Sequence, residues 1–155
     1  MEVSPYMERA IELSRNNISC NGGPFGAVIV KDDVIIAEGC NKVTSDNDPT
    51  AHAEVTAIRE ACKKLKTFDL TGCEIYTSCE PCPMCLAAIY WAHLDTIYYA
   101  NEKHDAAEIG FDDKFIYDEF ALDLNKRKIK MIKMHHKDAL EVFNEWKNKD
   151  DKVEY

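Results

Sequence analysis

The side chains best suited to chemistry in this sequence lie in two short segments, His52-Ala53-Glu54 and Pro81-Cys82-Pro83-Met84-Cys85. One imidazole and two thiolates are a known ligand set for catalytic zinc, and they leave the fourth tetrahedral position open. Two thiolates also balance the charge of Zn²⁺, and a neutral cluster tolerates burial. We therefore expect His52, Cys82 and Cys85 to bind Zn²⁺, one ion per chain.

The spacing of the cysteines supports this interpretation. Cys82 and Cys85 are three residues apart at the start of a predicted helix, so both sulfur atoms face the same side of its first turn. The N–H groups and the dipole of a helix N-terminus favour negative sulfur. Because His52 opens another predicted helix, two helix N-termini are expected to converge on one ion.

Glu54 has a different predicted role. It lies two residues after His52, and side chains with that spacing do not share a helix face. The carboxylate is therefore a poor fourth ligand, but it can face the open position of the metal. There it would take a proton from water that zinc has activated, so we predict that Glu54 is the general acid/base.

A Cys-x-x-Cys pair alone would also fit a redox dithiol or half of a structural zinc ribbon. A ribbon needs a second cysteine pair with ribbon spacing, which Cys73 and Cys79 do not provide. A redox dithiol would not account for His-x-Glu at the start of a second helix. His-x-Glu followed by Pro-Cys-x-x-Cys is instead the known signature of zinc deaminases. Cys79, three residues before Cys82, is expected to pack in the interior.

The elements that position these residues follow from hydrophobic periodicity and turn signals. Ser4-Pro5 predicts a capped helix start, and Asn16, Asn17 and Gly22-Gly23 predict the end of this helix. The runs 25–30 and 34–38 predict an antiparallel hairpin. Further predictions are helices over 50–64 and 83–93, strands over 73–77, 96–100 and 129–134, and a last helix with a capping box at Asp138 and Glu141 and an inner face of Ala139, Val142, Phe143 and Trp146. This order predicts an α/β fold, a three-layer α-β-α sandwich with a mixed five-stranded sheet.

Composition limits the classes of partner and the compartment. A chain of 155 residues with 46% hydrophobic content suggests a single domain, 1–155. The net charge of -9, from 19 basic and 28 acidic residues, argues against nucleic acid or a membrane as the main partner. No secretory signal is visible, and the odd count of 7 cysteines favours reduced thiols and metal ligands. We therefore expect a cytoplasmic protein.

Over nearly its whole length the sequence resembles the cytidine/deoxycytidylate deaminase superfamily, and more narrowly its small bacterial guanine deaminases. The blocks that carry the resemblance are GGPFGAVIVKD at 22–32, NDPTAHAEVTAIR at 47–59, YTSCEPCPMCLAAIYWA at 76–92 and DAAEIGFDDKFIYDE at 105–119. The last block separates subfamilies, because all of them share the zinc motif. Ala87 departs from the glycine of many relatives, with no expected chemical consequence.

The resemblance implies a cytidine deaminase-like fold and zinc-dependent hydrolysis of guanine, a purine base, to xanthine and ammonia in purine catabolism. It also implies that Asn41 and the backbone N–H of Ala53 hydrogen-bond the base, and that Phe25 packs near the ring. One acid of Asp112-Asp113, preferably Asp113, would face the guanine edge. A two-oxygen acceptor suits adjacent ring and exocyclic N–H donors.

The resemblance further implies a homodimer in which the C-terminal helix and tail, 137–155, are exchanged between subunits. Tyr155 would then close the active site of the other subunit, although composition alone makes the charged residues 150–155 typical of a disordered end. Other functions stay open at this point: a deaminase of another base or nucleoside, such as cytosine or guanosine, and a tRNA adenosine deaminase. The acidic charge disfavours the last of these, because RNA binding depends on basic contacts.

Overall fold

A computed structural model describes residues 4–155, which divide into two compact units at the bond between Tyr117 and Asp118. The elements of the first unit are α1 (Pro5–Ser19), β1 (Gly26–Lys31), β2 (Val34–Cys40), α2 (Val43–Asp46), α3 (Ala53–Leu65), β3 (Cys73–Cys79), α4 (Pro83–Trp91), β4 (Thr96–Asn101) and α5 (Lys103–Glu108). Helix α6 (Lys114–Phe120) includes the boundary, and the second unit continues with a short 3₁₀ helix (Leu124–Lys126) and α7 (Lys137–Lys147). None of the helices over residues 4–155 has the length and apolar character needed to cross a bilayer.

The sheet of the first unit has the strand order β2-β1-β3-β4. Strand β1 pairs antiparallel with both β2 and β3, while β3 and β4 pair in parallel. The predicted hairpin and the predicted parallel pairing of later strands are therefore confirmed. Since β3 leads directly into α4, the parallel crossover carries the Cys-x-x-Cys segment at the end of the sheet.

Helices cover both faces of this sheet, which gives the predicted three layers. On one face Ala27 and Ile29 of β1 pack in a core with α3 and α4. On the other face Val28 and Val30 pack against α1. Because alternate residues of β1 enter different cores, almost the whole strand is buried, as expected for a strand between two helical layers.

Close packing against β2 determines the position of α3. A Cβ atom added to Gly39 would lie 2.2 Å from the backbone oxygen of Ala53 and 2.6 Å from the backbone nitrogen of Ala57. Glycine in the strand and alanine on the helix therefore allow the two backbones to approach. This approach fixes the N-terminus of α3, where His52 lies.

The predicted fifth strand over 129–134 is wrong. Within residues 4–155 the sheet has four strands, and residues 129–134 form neither helix nor strand. Their apolar side chains, Ile129, Met131, Ile132 and Met134, are exposed. A strand needs a neighbour to bond its backbone groups, and none pairs with this segment in the described part of the chain.

The predicted details at helix ends also need correction. Helix α7 begins at Lys137 after His136, so the capping box at Asp138 and Glu141 does not form. Its predicted inner face is exposed, including Val142, Phe143 and Trp146. In the first helix Pro5 opens α1 as predicted, and the helix ends at Ser19, between Asn17 and Gly22, but the Ser4 hydroxyl does not cap it.

The approach of β2 and α3 gives a stability prediction. Gly39→Ala is expected to lower the free energy of unfolding by about 3 kcal/mol, because the new methyl group would collide with helix backbone that cannot move independently. Gly23→Ala is the control, since its added Cβ meets no atom closer than 3.4 Å. Urea denaturation of both variants measures the difference, and equal losses would contradict the packing argument.

Candidate active site

The three predicted ligands come together in the structure. The Nδ1 atom of His52 lies 3.5 Å from Sγ of Cys82 and 3.4 Å from Sγ of Cys85, and the three ligand atoms lie within 4.8 Å of one another. Tetrahedral zinc with bonds of about 2.0 to 2.3 Å separates its ligands by roughly 3.5 Å. The donor set and its spacing therefore fit zinc, and His52, Cys82 and Cys85 form a potential zinc site.

Two helix starts produce this convergence. His52 occupies the N-cap position of α3 and Cys82 that of α4, both with extended backbone. The His52 side chain makes no capping hydrogen bond to α3, as an N-cap side chain commonly does. Both side chains instead meet between the two helices, while Pro83 fixes the first turn of α4 and Cys85 follows within it.

Hydrogen bonding within the group separates the two thiols. The pKa of Cys82 is lowered, first by its hydrogen bond with Cys85 and then by His52, whereas the same hydrogen bond with Cys82 raises the pKa of Cys85. The pKa of His52 is raised by its hydrogen bond with Cys82. The sulfur atoms of Cys82 and Cys85 therefore share one proton. A bound divalent cation would displace this proton and leave both sulfur atoms as thiolates.

Glu54 lies beside this group but outside it. Glu54 lies in the first turn of α3 and is 6% exposed, and burial raises the pKa of its carboxyl group. The hydroxyl of Thr77 on β3 lies 3.1 Å from Oε1 of Glu54 and 3.1 Å from the carbonyl oxygen of Cys79. A buried carboxylate held at one oxygen is suited to accept and release a proton.

A cavity of about 520 Å³ opens onto the ligands and Glu54. Of the predicted substrate-binding residues, Phe25, Asn41 and Asp113 line this cavity. Ala53 is fully buried and is not a lining residue. As the first residue of α3, it has one of the N–H groups that a helix leaves without an intrahelical acceptor.

The adjacent acids Asp112 and Asp113 are in different environments. Oδ1 of Asp112 accepts a hydrogen bond from the N–H of Phe115 at 3.4 Å, at the start of α6. Oδ1 of Asp113 is buried and has no hydrogen-bond partner among the described residues. Burial raises the pKa of Asp113. An unpaired buried acceptor at a cavity is typical of a site whose donor comes from a ligand.

The opposite side of the cavity offers an apolar surface and a donor. Phe25 and Phe111 pack edge to face with ring centroids 4.9 Å apart. Oδ1 of Asn41 accepts the N–H of Val43 at 3.1 Å, which fixes the orientation of the amide. The Nδ2 donor of Asn41 is then the group of this side chain offered to a planar ligand.

Two residues that support the turn before Cys82, Tyr117 and Lys103, were not predicted from the sequence. The hydroxyl of Tyr117 donates to the carbonyl of Pro81 at 3.0 Å, and the N–H of Lys103 donates to Oε2 of Glu80 at 3.0 Å. Both contacts hold the turn that precedes Cys82. Tyr117 lies one helical turn after Asp113. A helix predicted over α6 would therefore have placed Tyr117 on the same side as Asp113.

Two further predictions concern Cys79 and Tyr155. Cys79 lines the cavity but lies outside the group of three ligand atoms, with Sγ 3.8 Å from the carbonyl of Glu102. Burial raises its pKa to about 11, so it remains a neutral thiol. Tyr155 belongs to the second unit and is 73% exposed.

A mixed sheet between helical layers, with His-x-Glu and Cys-x-x-Cys at two neighbouring helix N-termini, defines a zinc-dependent deaminase domain. The model of the cytidine and deoxycytidylate deaminase zinc-binding region matches residues 1–101. The chain belongs to this family.

The individual proteins that this chain is similar to include guanine deaminases and a tRNA-specific adenosine deaminase. Guanine deaminase from Bacillus subtilis (strain 168) is 53% identical over 156 residues, covering 100% of both chains. The X-ray structure of guanine deaminase from Bacillus subtilis superposes with a TM-score of 0.95 at 52% identity, covering 100% of this chain and 99% of that one. Guanine deaminase from Nitrosomonas europaea gives 0.68 at 37% identity, over 73% and 67% of the two chains. A tRNA-specific adenosine deaminase from Aquifex aeolicus (strain VF5) is 38% identical over 101 residues, which are 64% of this chain and 67% of the relative.

The site geometry predicts how metal binding responds to mutation. Purified protein should contain about one zinc per chain, and Cys82→Ala should reduce this to near zero by removing one of three ligands.

Glu54→Gln should keep the zinc but lower turnover by at least about a hundredfold, because an amide cannot exchange the proton. Metal analysis by mass spectrometry and steady-state kinetics separate the two effects. Zinc loss in Glu54→Gln would make Glu54 a ligand instead.

Proposed function

We propose that this protein catalyses the hydrolysis of guanine to xanthine and ammonia. The observation that carries the choice of substrate is the buried, unpartnered Oδ1 of Asp113 at the cavity. Guanine has adjacent ring and exocyclic N–H groups, which suit a carboxylate acceptor. Asp113 also lies beyond residue 101, where the match to the shared zinc-binding region ends. The carboxylate proposed to distinguish guanine therefore lies outside the shared zinc-binding region.

We propose that the base lies between two sides of the cavity. Phe25 packs against its ring, with Phe111 fixing the angle of that side chain by edge-to-face contact. Asn41 donates from Nδ2 to an acceptor of the purine, and the N–H of Ala53 donates from the first turn of α3. Together with Asp113, these groups bind acceptors and donors on different edges of the base.

Zinc, held by His52, Cys82 and Cys85, supplies the Lewis acidity that makes water nucleophilic near neutral pH. Glu54 is the proposed proton carrier. The water oxygen bonds to the ring carbon that bears the amine, and its first proton passes to Glu54, which delivers it to the adjacent ring nitrogen. The second proton of that oxygen then passes through Glu54 to the amine, so that the carbon–nitrogen bond breaks, ammonia leaves and the oxygen becomes the new carbonyl of xanthine.

The substrate assignment is tested with a panel of amines. Ammonia release is measured from guanine, guanosine, cytosine, cytidine, adenine and a tRNA anticodon stem-loop. Guanine should give the highest kcat/KM, and a higher value for any other compound would overturn the proposal. This panel includes the alternatives of a nucleoside, cytosine or tRNA adenosine deaminase.

Asp113→Asn is expected to lower kcat/KM for guanine by about a hundredfold, because one carboxylate oxygen becomes a donor that opposes an N–H of the base. Asp112→Asn is the matched control, since an asparagine oxygen still accepts the N–H of Phe115. Its effect should be far smaller. Equal losses in the two variants, or loss of zinc in Asp113→Asn, would make Asp113 a structural residue.

We also propose a homodimer in which residues 137–155 are exchanged between subunits. The exposed apolar surface of each unit supports this proposal. In the first unit, β4 ends the sheet and Tyr98 and Tyr99 on it are exposed, as is Tyr90 of α4. In the second unit, the segment 129–134 and the apolar face of α7 are exposed. A partner subunit would cover such surfaces.

Within this dimer, Tyr155 is proposed to close the active site of the other subunit and exclude water from the bound base. The reaction is assigned to purine catabolism in the cytoplasm, where the cysteines stay reduced; all of them are free thiols in the structure.

Removal of residues 151–155 tests the closing role. The shortened protein should fold, keep zinc and remain a dimer by sedimentation, because the removed residues lie beyond α7. Its KM for guanine should rise, or its kcat fall, by about tenfold, since an open site leaves water around the reacting groups. Unchanged kinetics would exclude a role for this segment in closing the site.

A further inference from the structure

Asn17 is a buried polar residue that lies outside the cavity and contacts two segments that line it. It lies near the end of α1 and is 8% exposed. Its Nδ2 donates to the carbonyl oxygens of Gly23 and Asn41, each at 2.8 Å. A carboxamide nitrogen has two hydrogens, so both of its donors are satisfied by backbone. One side chain thus joins the segment before β1 to the residue that follows β2.

Both acceptors lead directly to groups proposed to touch the base. The carbonyl of Gly23 also accepts the N–H of Phe25 at 2.8 Å. The N–H of Asn41 donates to the carbonyl of Phe25 at 3.2 Å. Asn17, Gly23, Phe25 and Asn41 therefore form a closed set of hydrogen bonds behind one side of the cavity, and a shift of Asn17 moves both the ring and the amide that face the ligand.

Gly22 provides independent evidence that the position of this amide is restricted. A Cβ atom added to Gly22 would lie 2.3 Å from Nδ2 and 2.7 Å from Cγ of Asn17. The N–H of Gly22 also donates to the backbone oxygen of Asn17 at 2.9 Å. The chain therefore passes so close to the amide that a side chain at position 22 would displace it.

We infer that Asn17 is a positioning residue that sets the purine-binding side of the cavity through Gly23, Phe25 and Asn41. The inference rests on the proposed function for the identity of the ligand. Asn17 has no contact with the ligand atoms His52, Cys82 and Cys85 in the described structure. Its influence is on the affinity for the base and not on metal binding or on the proton transfer by Glu54.

The primary test is Asn17→Asp, which keeps the shape but replaces Nδ2, the donor of both hydrogen bonds, by an oxygen that repels the carbonyls of Gly23 and Asn41. We expect KM for guanine to rise by about tenfold or more, with kcat within about twofold and zinc content unchanged. Asn16→Asp is the matched control, because Asn16 is the preceding residue of the same helix and is exposed. It makes the same change of charge without touching the cavity segments.

Gly22→Ala reaches the same amide from the other side and decides the question if Asn17→Asp does not fold. Guanine binding is measured by calorimetry in the Glu54→Gln background, so that affinity is read without turnover. Gly22→Ala should weaken binding there by about tenfold, as should a folded Asn17→Asp.

The two ideas fail in different ways. If unmodified protein neither binds nor hydrolyses guanine, the proposed function is wrong. If it does both, and folded Asn17→Asp has unchanged KM or Gly22→Ala binds guanine normally, the positioning role is wrong. A fall in melting temperature with unchanged KM would leave Asn17 a purely structural residue and also overturn the inference. A rise in KM equal to that of Asn16→Asp would do the same.

Discussion

The meeting of two helix N-termini at one point is the constraint on which the rest of this structure depends. His52 and Cys82 occupy N-cap positions, and His52 does not cap its own helix, so α3 lacks a stabilising contact of about 1 kcal/mol. The geometry of the sheet makes this possible. The last residue of β3, Cys79, is close in sequence to α4, and Gly39 lets α3 lie directly on β2. Helix starts and strand ends thus meet at the same edge of the sheet.

Two carboxyl groups near this point, those of Glu54 and Asp113, differ in their hydrogen bonding. Glu54 has the hydroxyl of Thr77 against one oxygen, whereas Oδ1 of Asp113 has no partner in the described structure. An unsatisfied buried acceptor costs about 1 to 3 kcal/mol of stability. In the proposed complex, an N–H group of guanine would satisfy Oδ1 of Asp113 and recover this energy, which would favour guanine over bases without a donor there.

Features that depend on residues close in sequence could be predicted, whereas features that depend on contacts between distant residues could not. His52, Cys82 and Cys85 could be found because ligand chemistry and spacing along two helix starts are local signals. The hairpin and the parallel pair also follow from short runs and connections. Asn17 and Thr77 could not be found, since their role depends on carbonyls and a carboxylate that are distant in sequence and adjacent in the fold. The strand predicted over 129–134 failed for a related reason: a short apolar run does not specify which sheet edge will bond it.

The exposed segment 129–134 also has a consequence for the aggregation of newly made chains. Its apolar side chains are uncovered in the single chain and could stack with identical segments of other copies. Lys128, Lys130 and Lys133 lie within or next to this segment. In parallel stacking of copies these lysines would align like charges, which disfavours aggregation. The basic residues here, in an otherwise acidic protein, therefore oppose the stacking of this exposed segment between copies of the chain.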